Sequence, residues 1–182
     1  MNKVQPIKLK AKIDEVERIL GAQDEKYRIM FLIGIYSGLR ISDILQIKVK
    51  DVYGRDHIDI REKKTGKAKR FRINKNLAKE LNRYCSGRNP EDYLVKSRQG
   101  KNQPIVSRRA YEVIRHAGRL AGLESVGTHT MRKTFGYHYY KQTGDVVTLQ
   151  KLLNHSTPRV TLVYIGIEQD AIDDAVFNFD YE

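Results

Sequence analysis

The chain of 182 residues is long enough to form one domain with a buried core, and its 40% hydrophobic and 31% charged residues are typical of globular proteins. The single cysteine, Cys85, excludes an intramolecular disulfide and an all-cysteine metal cluster. The formal net charge of +12 favours a polyanionic partner, most simply nucleic acid.

No pattern in the sequence indicates a membrane or an export pathway. The most apolar run, 29–36, is too short to span a bilayer. The first residues, 1–4, are not followed by the apolar region of a signal peptide. We therefore expect a cytoplasmic protein with no membrane partner.

The basic residues are concentrated in the middle of the chain. Residues 61–109 contain 16 Lys and Arg but only 4 Asp and Glu, whereas residues 165–182 contain six acids and no Lys or Arg. This distribution predicts that the middle of the chain faces DNA and that the tail does not. The alternative is that the basic residues only keep the protein soluble.

In chain order, the first predicted elements are a loose basic arm and three helices. The arm covers residues 1–10. Apolar residues at helical spacing over 13–20 predict a helix that Gly21 ends. A nearly all-apolar pattern over 24–37 predicts a buried helix, and a short helix is expected to follow from Ile41.

The period of the pattern then changes from helix to strand. Alternating apolar residues predict two strands joined by a basic hairpin turn at 62–67, and the pattern allows a third short strand. An asparagine cap at 74 or 76 predicts a helix that runs to Cys85. The predicted strands are 57–61, 69–73 and the additional 93–95.

The rest of the chain is predicted to be helical, because apolar residues recur at helical spacing after capping residues or proline. The predicted helices are 107–121 with Ser107 as its cap, 130–144, one after the cap Asp145 that runs to 153, a short one from Pro158 that carries Tyr164, and 168–177. The expected fold class is α+β, mainly helical with a small antiparallel sheet.

One ordered set of residues suits a specific chemistry. A phenol can attack a phosphodiester, while cations stabilise the additional negative charge of the transition state. The set contains two arginines, a lysine, two histidines and a late tyrosine: Arg40, Lys64, His129, Arg132, His155 and Tyr164.

Several members of the set have simpler explanations when each is considered alone. The planar fork of Arg40 can hold a phosphate and Asp43, one helical turn later, can orient it, but a surface ion pair is the alternative. His129 and Arg132 share a helix face, as do many unrelated pairs. Because the chain has 11 tyrosines, a lone tyrosine is more often a packing residue than a nucleophile.

The lysine and the second histidine also have open alternatives. From the hairpin turn, Lys64 can bring a proton to a leaving oxygen as a general acid, but a plain phosphate contact is the simpler role. Lys63 and Lys67 are rivals for either role. His155, at a helix end, can bind a phosphate oxygen or only cap the helix. The combination of residues, rather than any one of them, supports the chemical interpretation.

The ordered set resembles that of the tyrosine recombinases, the phage integrase family. The family's boxes run Arg, Lys, His-x-x-Arg, His or Trp, and Tyr, and the intervals from Arg40 to Tyr164 are similar here. The stretch Ser37-Gly38-Leu39-Arg40 is similar to the family's Thr-Gly-Leu-Arg. A leucine pair, 152–153, also stands before His155, as in the family.

This resemblance implies a catalytic domain over 11–177, with a C-terminal helix from about 168, followed by an acidic tail at 178–182. Members of the family also carry a core-binding domain before the catalytic domain, and this sequence begins almost at the catalytic domain. It is therefore expected to be either part of a longer chain or a naturally short recombinase, encoded by a bacterium or a phage.

The resemblance also implies a mechanism, in which the tyrosine attacks the scissile phosphate of DNA, forms a 3′-phosphotyrosine and frees a 5′-hydroxyl. Arg40 and Arg132 would stabilise the transition state, assisted by His155. Lys64 would protonate the 5′ oxygen, and His129 would support proton transfer at the tyrosine. No metal or other cofactor is expected, because the covalent link conserves the energy of the broken bond.

The expected partner is double-stranded DNA, bound by basic residues near the turn and at the start of the 107–121 helix. These residues are Lys63, Lys67, Lys69, Arg70, Arg108 and Arg109. The family further implies a homo-oligomer on DNA, a dimer or a tetramer, formed through the C-terminal segment. The alternative is that this segment folds back on its own core.

Two other functions stay open from the sequence alone. Type IB topoisomerases, which relax supercoils, use a similar active site, although the spacing of the boxes favours a recombinase. The other alternative is a DNA-binding or regulatory remnant of the family that no longer exchanges strands.

Overall fold

The computed structural model describes residues 4–180, which form helices and one antiparallel hairpin, so the predicted α+β class is confirmed. No helix of this part of the chain is long and apolar enough to cross a membrane. In chain order the elements are α1 (Lys10–Gln23), α2 (Glu25–Ser37), α3 (Ile41–Ile44), a 3-10 turn (Val49–Asp51), β1 (His57–Arg61), β2 (Ala68–Arg72), α4 (Lys75–Cys85), α5 (Ser107–Leu120), α6 (Thr128–Thr143), α7 (Val146–Leu153), α8 (Pro158–Ile165) and α9 (Ile167–Phe177).

Helix α2 forms the centre of the fold. Its residues are apolar on nearly all sides, and α1, α4, α5 and α6 pack around it. Ile29, Phe31 and Ile33 are completely buried, and burying each such side chain contributes roughly 1.5–3 kcal/mol. The Asp24 side chain caps its first turn by accepting a backbone N–H hydrogen bond, and Gly38 ends it in the left-handed conformation (φ 65°). The predicted buried helix is thus confirmed.

The predicted hairpin is also confirmed, with a second strand that begins and ends one residue early. Strands β1 and β2 are antiparallel, and Ile58 pairs with Phe71 on the buried side. Ile73 lies beyond β2, but it stays buried and its N–H donates to a backbone carbonyl at 2.8 Å. The turn between the strands carries the predicted lysines.

Three local predictions are wrong. The predicted third strand at 93–95 does not form. The backbone groups of this stretch hydrogen-bond to two different segments of the chain, so no continuous strand pairing results. Gly21 does not end α1, which continues past it until Asp24 breaks the helix and caps α2. Ser107 does not cap α5, since Val106 occupies the cap position without a side-chain hydrogen bond.

The N-terminal arm is attached to the domain over its described residues, 4–9, rather than loose. Ile7 is 2% exposed. Its N–H donates to Thr134 Oγ1 at 2.9 Å, and its carbonyl oxygen lies 2.9 Å from His138 Nε2. The arm is held because it contains an apolar residue that fills a site on α6. Residues 1–3 lie outside the described part of the chain.

A second, smaller apolar cluster supports the C-terminal helices. Gly136 permits α6 and α8 to approach closely, because a Cβ at this position would lie 2.7 Å from Ile165 Cγ2. Asn154, in the left-handed conformation (φ 52°), ends α7 and turns the chain towards α8. The buried residues of this cluster are Tyr137, Leu149, Leu153 and Ile165.

The closest approach of α2 and α6 offers a test of the packing. A Cβ at Gly34 would lie 2.7 Å from Met131 Cβ. We expect Gly34→Ala to lower the free energy of unfolding by about 1–3 kcal/mol, because the added methyl forces two buried helices apart. Denaturant unfolding measures this change. Gly21→Ala is the matched control, since its Cβ would meet only the flexible Arg28 side chain, at 3.1 Å. A Gly34→Ala variant as stable as this control would contradict the close packing.

Candidate active site

A small cleft lies between the end of α2, α3 and the start of α6. Its volume is about 100 Å³. The predicted site residues Arg40, His129 and Arg132 all line it, together with Ser42 and Thr128. The cleft therefore brings two cationic side chains and an imidazole to one place, although they are up to 92 positions apart in sequence.

Arg132 is the most enclosed member of the site, with 3% of its surface exposed. One guanidinium nitrogen donates to the Gly38 carbonyl at the end of α2, and the other donates to the Leu153 carbonyl at the end of α7. Burial lowers the pKa of Arg132, but a guanidinium keeps its proton in proteins. The site thus has a fixed positive charge at its base.

Arg40 follows the end of α2 and precedes α3, and its side chain is mostly buried. Its Nη1 lies 3.1 Å from Glu62 Oε2, but at an angle that leaves this buried nitrogen without a well-aligned hydrogen-bond acceptor. A planar guanidinium has five N–H donors. Arg40 can therefore hold Glu62 and still donate to an anion in the cleft.

The predicted role of Asp43 in orienting Arg40 is wrong. Arg40 occupies the cap position before α3 in an extended conformation (φ −72°, ψ 149°), so the helical spacing of three residues does not bring the two side chains together. Asp43 Oδ1 instead accepts a hydrogen bond from the Lys63 backbone N–H at 2.9 Å. The carboxylate that pairs with Arg40 is Glu62.

Tyr164 lies on α8, where Thr157 and Pro158 form the predicted cap. Its hydroxyl oxygen is 3.3 Å from His129 Nδ1. Burial raises the pKa of the Tyr164 phenol, although the charge of Arg132 acts in the opposite direction. The phenol is therefore protonated at neutral pH and needs a base before it can act as a nucleophile.

His129 is placed to act as that base. Burial lowers its pKa, and the charges of Arg132 and Lys133 lower it further. The imidazole is therefore neutral at neutral pH and has a nitrogen that can accept the Tyr164 proton. The charge of Lys64 lowers the pKa of His129 as well.

His155 is held in front of Tyr164 by the end of α7. The two rings meet edge to face, with centroids 4.8 Å apart. His155 Nδ1 lies 3.1 Å from the buried Thr161 Oγ1. Burial, together with the charges of Arg132 and Arg40, lowers the pKa of His155 to about 4. His155 is therefore a neutral hydrogen-bonding group near pH 7.

Two features of this site were not predicted from the sequence. One is the carboxylate of Glu62, and the other is the inward direction of the Lys69 side chain. Glu62 is a buried carboxylate just after β1. Lys69 Nζ lies 3.7 Å from Glu62 Oε1 and donates to the Leu152 carbonyl, so it points into the site rather than towards solvent. Strand alternation offers a signal for Lys69, because it stands two residues before the buried Phe71 on the same face of β2.

The other basic residues predicted to bind DNA are exposed. Lys63 and Lys67 lie in the hairpin turn with Lys64. Arg70 pairs with Asp59 at 2.7 Å across the outer face of the hairpin. At the start of α5, Arg108 and Arg109 both lie within 4 Å of the Glu112 carboxylate. Among residues 4–180, no group of three or more His, Cys, Asp or Glu side chains is arranged to hold a metal ion.

Comparison with known proteins identifies the class of protein that this fold and site define. The phage integrase family matches residues 11–170 of the chain. A relative in Bacillus subtilis, the probable integrase/recombinase YoeC, is 44% identical over 170 residues, which are 93% of this chain and 93% of YoeC. The chain therefore belongs to the phage integrase family and is a tyrosine-type site-specific recombinase.

Solved structures show the same fold. The crystal structure of XerA recombinase matches with a TM-score of 0.73 at 21% identity, over 97% of this chain but 65% of that chain. A lambda integrase dimer bound to a COC′ core site matches with a TM-score of 0.71 at 16% identity, over 100% of this chain and 51% of that one. Lambda integrase thus binds a core site as a dimer, and it binds a Holliday junction as a tetramer.

The lowered pKa of His155 gives a test of its burial. Because its pKa falls from an ordinary 6.5 to about 4 on folding, the unfolded chain binds more protons between these values, and stability is lost as the pH falls through this window. We expect His155→Gln to lose less stability than wild type between about pH 7 and about pH 5, measured by denaturant unfolding. His116→Gln, at an exposed histidine of α5, is the control. Identical pH dependence in wild type and His155→Gln would contradict the buried, neutral imidazole.

Proposed function

We propose that this chain cleaves and rejoins double-stranded DNA through a 3′-phosphotyrosine formed at Tyr164. The observation that supports this proposal is the contact of 3.3 Å between the Tyr164 hydroxyl and His129 Nδ1, beside the cleft that Arg40 and Arg132 line. A nucleophile, a neutral base and two cations are the groups that an attack of a phenol on a phosphodiester requires.

The first step transfers two protons and exchanges one bond. His129 accepts the phenol proton while the Tyr164 oxygen bonds to the scissile phosphorus. The bond from phosphorus to the 5′ oxygen breaks, and Lys64 donates a proton to that oxygen, so the DNA end leaves as a 5′-hydroxyl. In the rejoining step, a 5′-hydroxyl attacks the phosphotyrosine and the same protons move in reverse.

Three groups act on the non-bridging oxygens of the phosphate. Arg132 supplies a charge whose position is set by two backbone carbonyls, and Arg40 supplies the guanidinium donors other than the Nη1 that lies beside Glu62. If the Thr161 hydroxyl donates to His155 Nδ1, then His155 Nε2 carries the proton and can donate to the phosphate. Such preorganised donors stabilise the transition state most effectively because they need no rearrangement.

DNA contacts outside the cleft are assigned to exposed basic residues. We propose that Lys63 and Lys67 in the turn, Arg70 on β2, and Arg108 and Arg109 on α5 bind backbone phosphates. Such contacts position a protein on DNA without reading its sequence. Lys69 does not belong to this group, because its ammonium is directed into the site by Glu62 and a backbone carbonyl.

The nucleophile can be tested directly by covalent trapping. We expect wild type to give a protein–DNA adduct on a denaturing gel with duplexes from its own genomic neighbourhood that carry a 5′-bridging phosphorothiolate. Tyr164→Phe is expected to give none, because it lacks the attacking oxygen, and to bind the same DNA nearly as wild type does. Tyr140→Phe, a partly buried tyrosine of the smaller cluster, is the matched control. An adduct that survives in Tyr164→Phe would refute the assignment.

We further propose that the protein assembles on DNA as a dimer or tetramer through its C-terminal segment. Helix α9 has no buried residue, and Ile172, Val176 and Phe177 are exposed on it, Phe177 to 88%. Apolar side chains on an otherwise acidic helix suit a protein partner better than DNA. The DNA-bound dimers and tetramers of homologues support the same proposal.

A substitution on α9 separates assembly from cleavage. We expect Phe177→Asp to prevent association of protomers on DNA in sedimentation velocity experiments, because a charge at an apolar contact is costly to bury. The same variant is expected to keep forming the covalent adduct at Tyr164. Leu120→Asp, which changes a similarly exposed apolar residue at the end of α5, controls for the added charge. Normal assembly by Phe177→Asp would refute the role of α9.

A further inference from the structure

We propose that Glu62 is a positioning residue that, together with Asp43, holds the Lys64 turn docked against the active site before DNA binds. This inference rests on the proposed function, in which Lys64 protonates the leaving oxygen. Two buried carboxylates thus position Lys64, although neither carboxylate contacts the Lys64 side chain.

Both residues that flank Lys64 are tethered. On one side, the Lys63 backbone N–H donates to Asp43 Oδ1 at 2.9 Å. On the other side, the Thr65 hydroxyl donates to Glu62 Oε2 at 2.7 Å. A segment fixed by a hydrogen bond on each side of one residue has little freedom to swing, although the Lys64 side chain itself is exposed. The two tethers therefore fix the point from which Lys64 reaches out.

Both carboxylates are buried, and Glu62 is in addition held by two cations. Asp43 is 3% and Glu62 is 2% exposed, and a buried carboxylate is stable only when it is paired and hydrogen-bonded. Glu62 lies 3.1 Å from Arg40 Nη1 and 3.7 Å from Lys69 Nζ. Burial by itself raises the pKa of Glu62, but the Thr65 hydroxyl and the charges of Arg40 and Lys69 lower it below its ordinary value. Glu62 is therefore an anion at neutral pH.

The two tethers fix the direction of the turn, which the hydrogen bonds within the hairpin do not. The turn is already closed by its own backbone, since the Glu62 N–H donates to the Lys67 carbonyl at 2.9 Å and the Gly66 N–H donates to the Glu62 carbonyl at 2.8 Å. These bonds define the shape of the turn but not its direction. The side chains of Asp43 and Glu62 connect the turn to the segment that carries Arg40.

Loss of the tethers is expected to affect protonation of the leaving group rather than the reaction as a whole. General acid catalysis is worth roughly 10²–10⁴ in rate when the acid is well placed. Releasing the turn is therefore expected to cost at least about 10-fold in cleavage of an ordinary phosphodiester. A 5′-bridging sulfur leaves as a thiolate without needing a proton, so cleavage of a phosphorothiolate is expected to be nearly unaffected.

Thr65 permits the test without changing any charge in the site. Single-turnover cleavage is measured on matched duplexes that have either oxygen or sulfur at the 5′-bridging position. We expect Thr65→Val to be slowed on the oxygen substrate and close to wild type on the sulfur substrate, as Lys64→Ala is. Thr65→Ser, which keeps the hydroxyl, is expected to restore the oxygen rate. Lys67→Ala, in the same turn, controls for loss of a DNA contact.

The outcomes distinguish this proposal from the proposed function. If Thr65→Val is slowed equally on both substrates, or on neither, the role of the Glu62 tether is overturned. The proposed function is not overturned in that case, because wild type still forms its adduct. Failure of sulfur to rescue Lys64→Ala overturns the role of Lys64, and absence of any wild-type adduct overturns the proposed function. Amide exchange in the DNA-free protein gives a second test: a Lys63 N–H that exchanges as fast as an unprotected amide refutes the docked turn.

Discussion

The active site depends on one buried guanidinium that joins the ends of two helices. The last carbonyls of a helix lack partners within it and carry partial negative charge, and a buried cation needs such partners. Arg132 meets both needs, because it donates to Gly38 at the end of α2 and to Leu153 at the end of α7. Arg40 and His155 each stand two residues after one of these carbonyls, so the same interaction brings both of them to the cleft.

The positive charges of the site repel one another, and buried carboxylates reduce this repulsion. Burial lowers the pKa of Lys69, and the charges of Arg132 and Arg40 lower it further. Without an anion these three cations would repel one another. Glu62 lies between Arg40 and Lys69. Burial, together with the remaining positive field, keeps His155 neutral and keeps His129 in the form that can accept a proton. Charge balance and acid–base function therefore have the same structural origin.

Local signals in the sequence were sufficient for most helices but not for the interior of the site. Asn74 and Thr157 act through neighbours within three residues, so their caps could be predicted. Lys69 reaches the Leu152 carbonyl, 83 residues away in sequence, and Glu62 appears in the sequence only as one charge in a basic turn. The expected Arg40–Asp43 pair failed because helical spacing was applied to a residue that is extended. Contacts made by the tertiary fold leave no such local pattern.

The position of Glu62 also explains how a site can be both prearranged and receptive to an anion. Glu62 is buried and occupies one edge of the Arg40 guanidinium, while other donors of this planar group remain for a phosphate. A phosphate that binds Arg40 therefore does not have to displace the carboxylate that holds Thr65. The proposed tether is therefore compatible with phosphate binding, so that the Lys64 turn and the phosphate can occupy the site together, as the proposed proton transfer to the leaving oxygen requires.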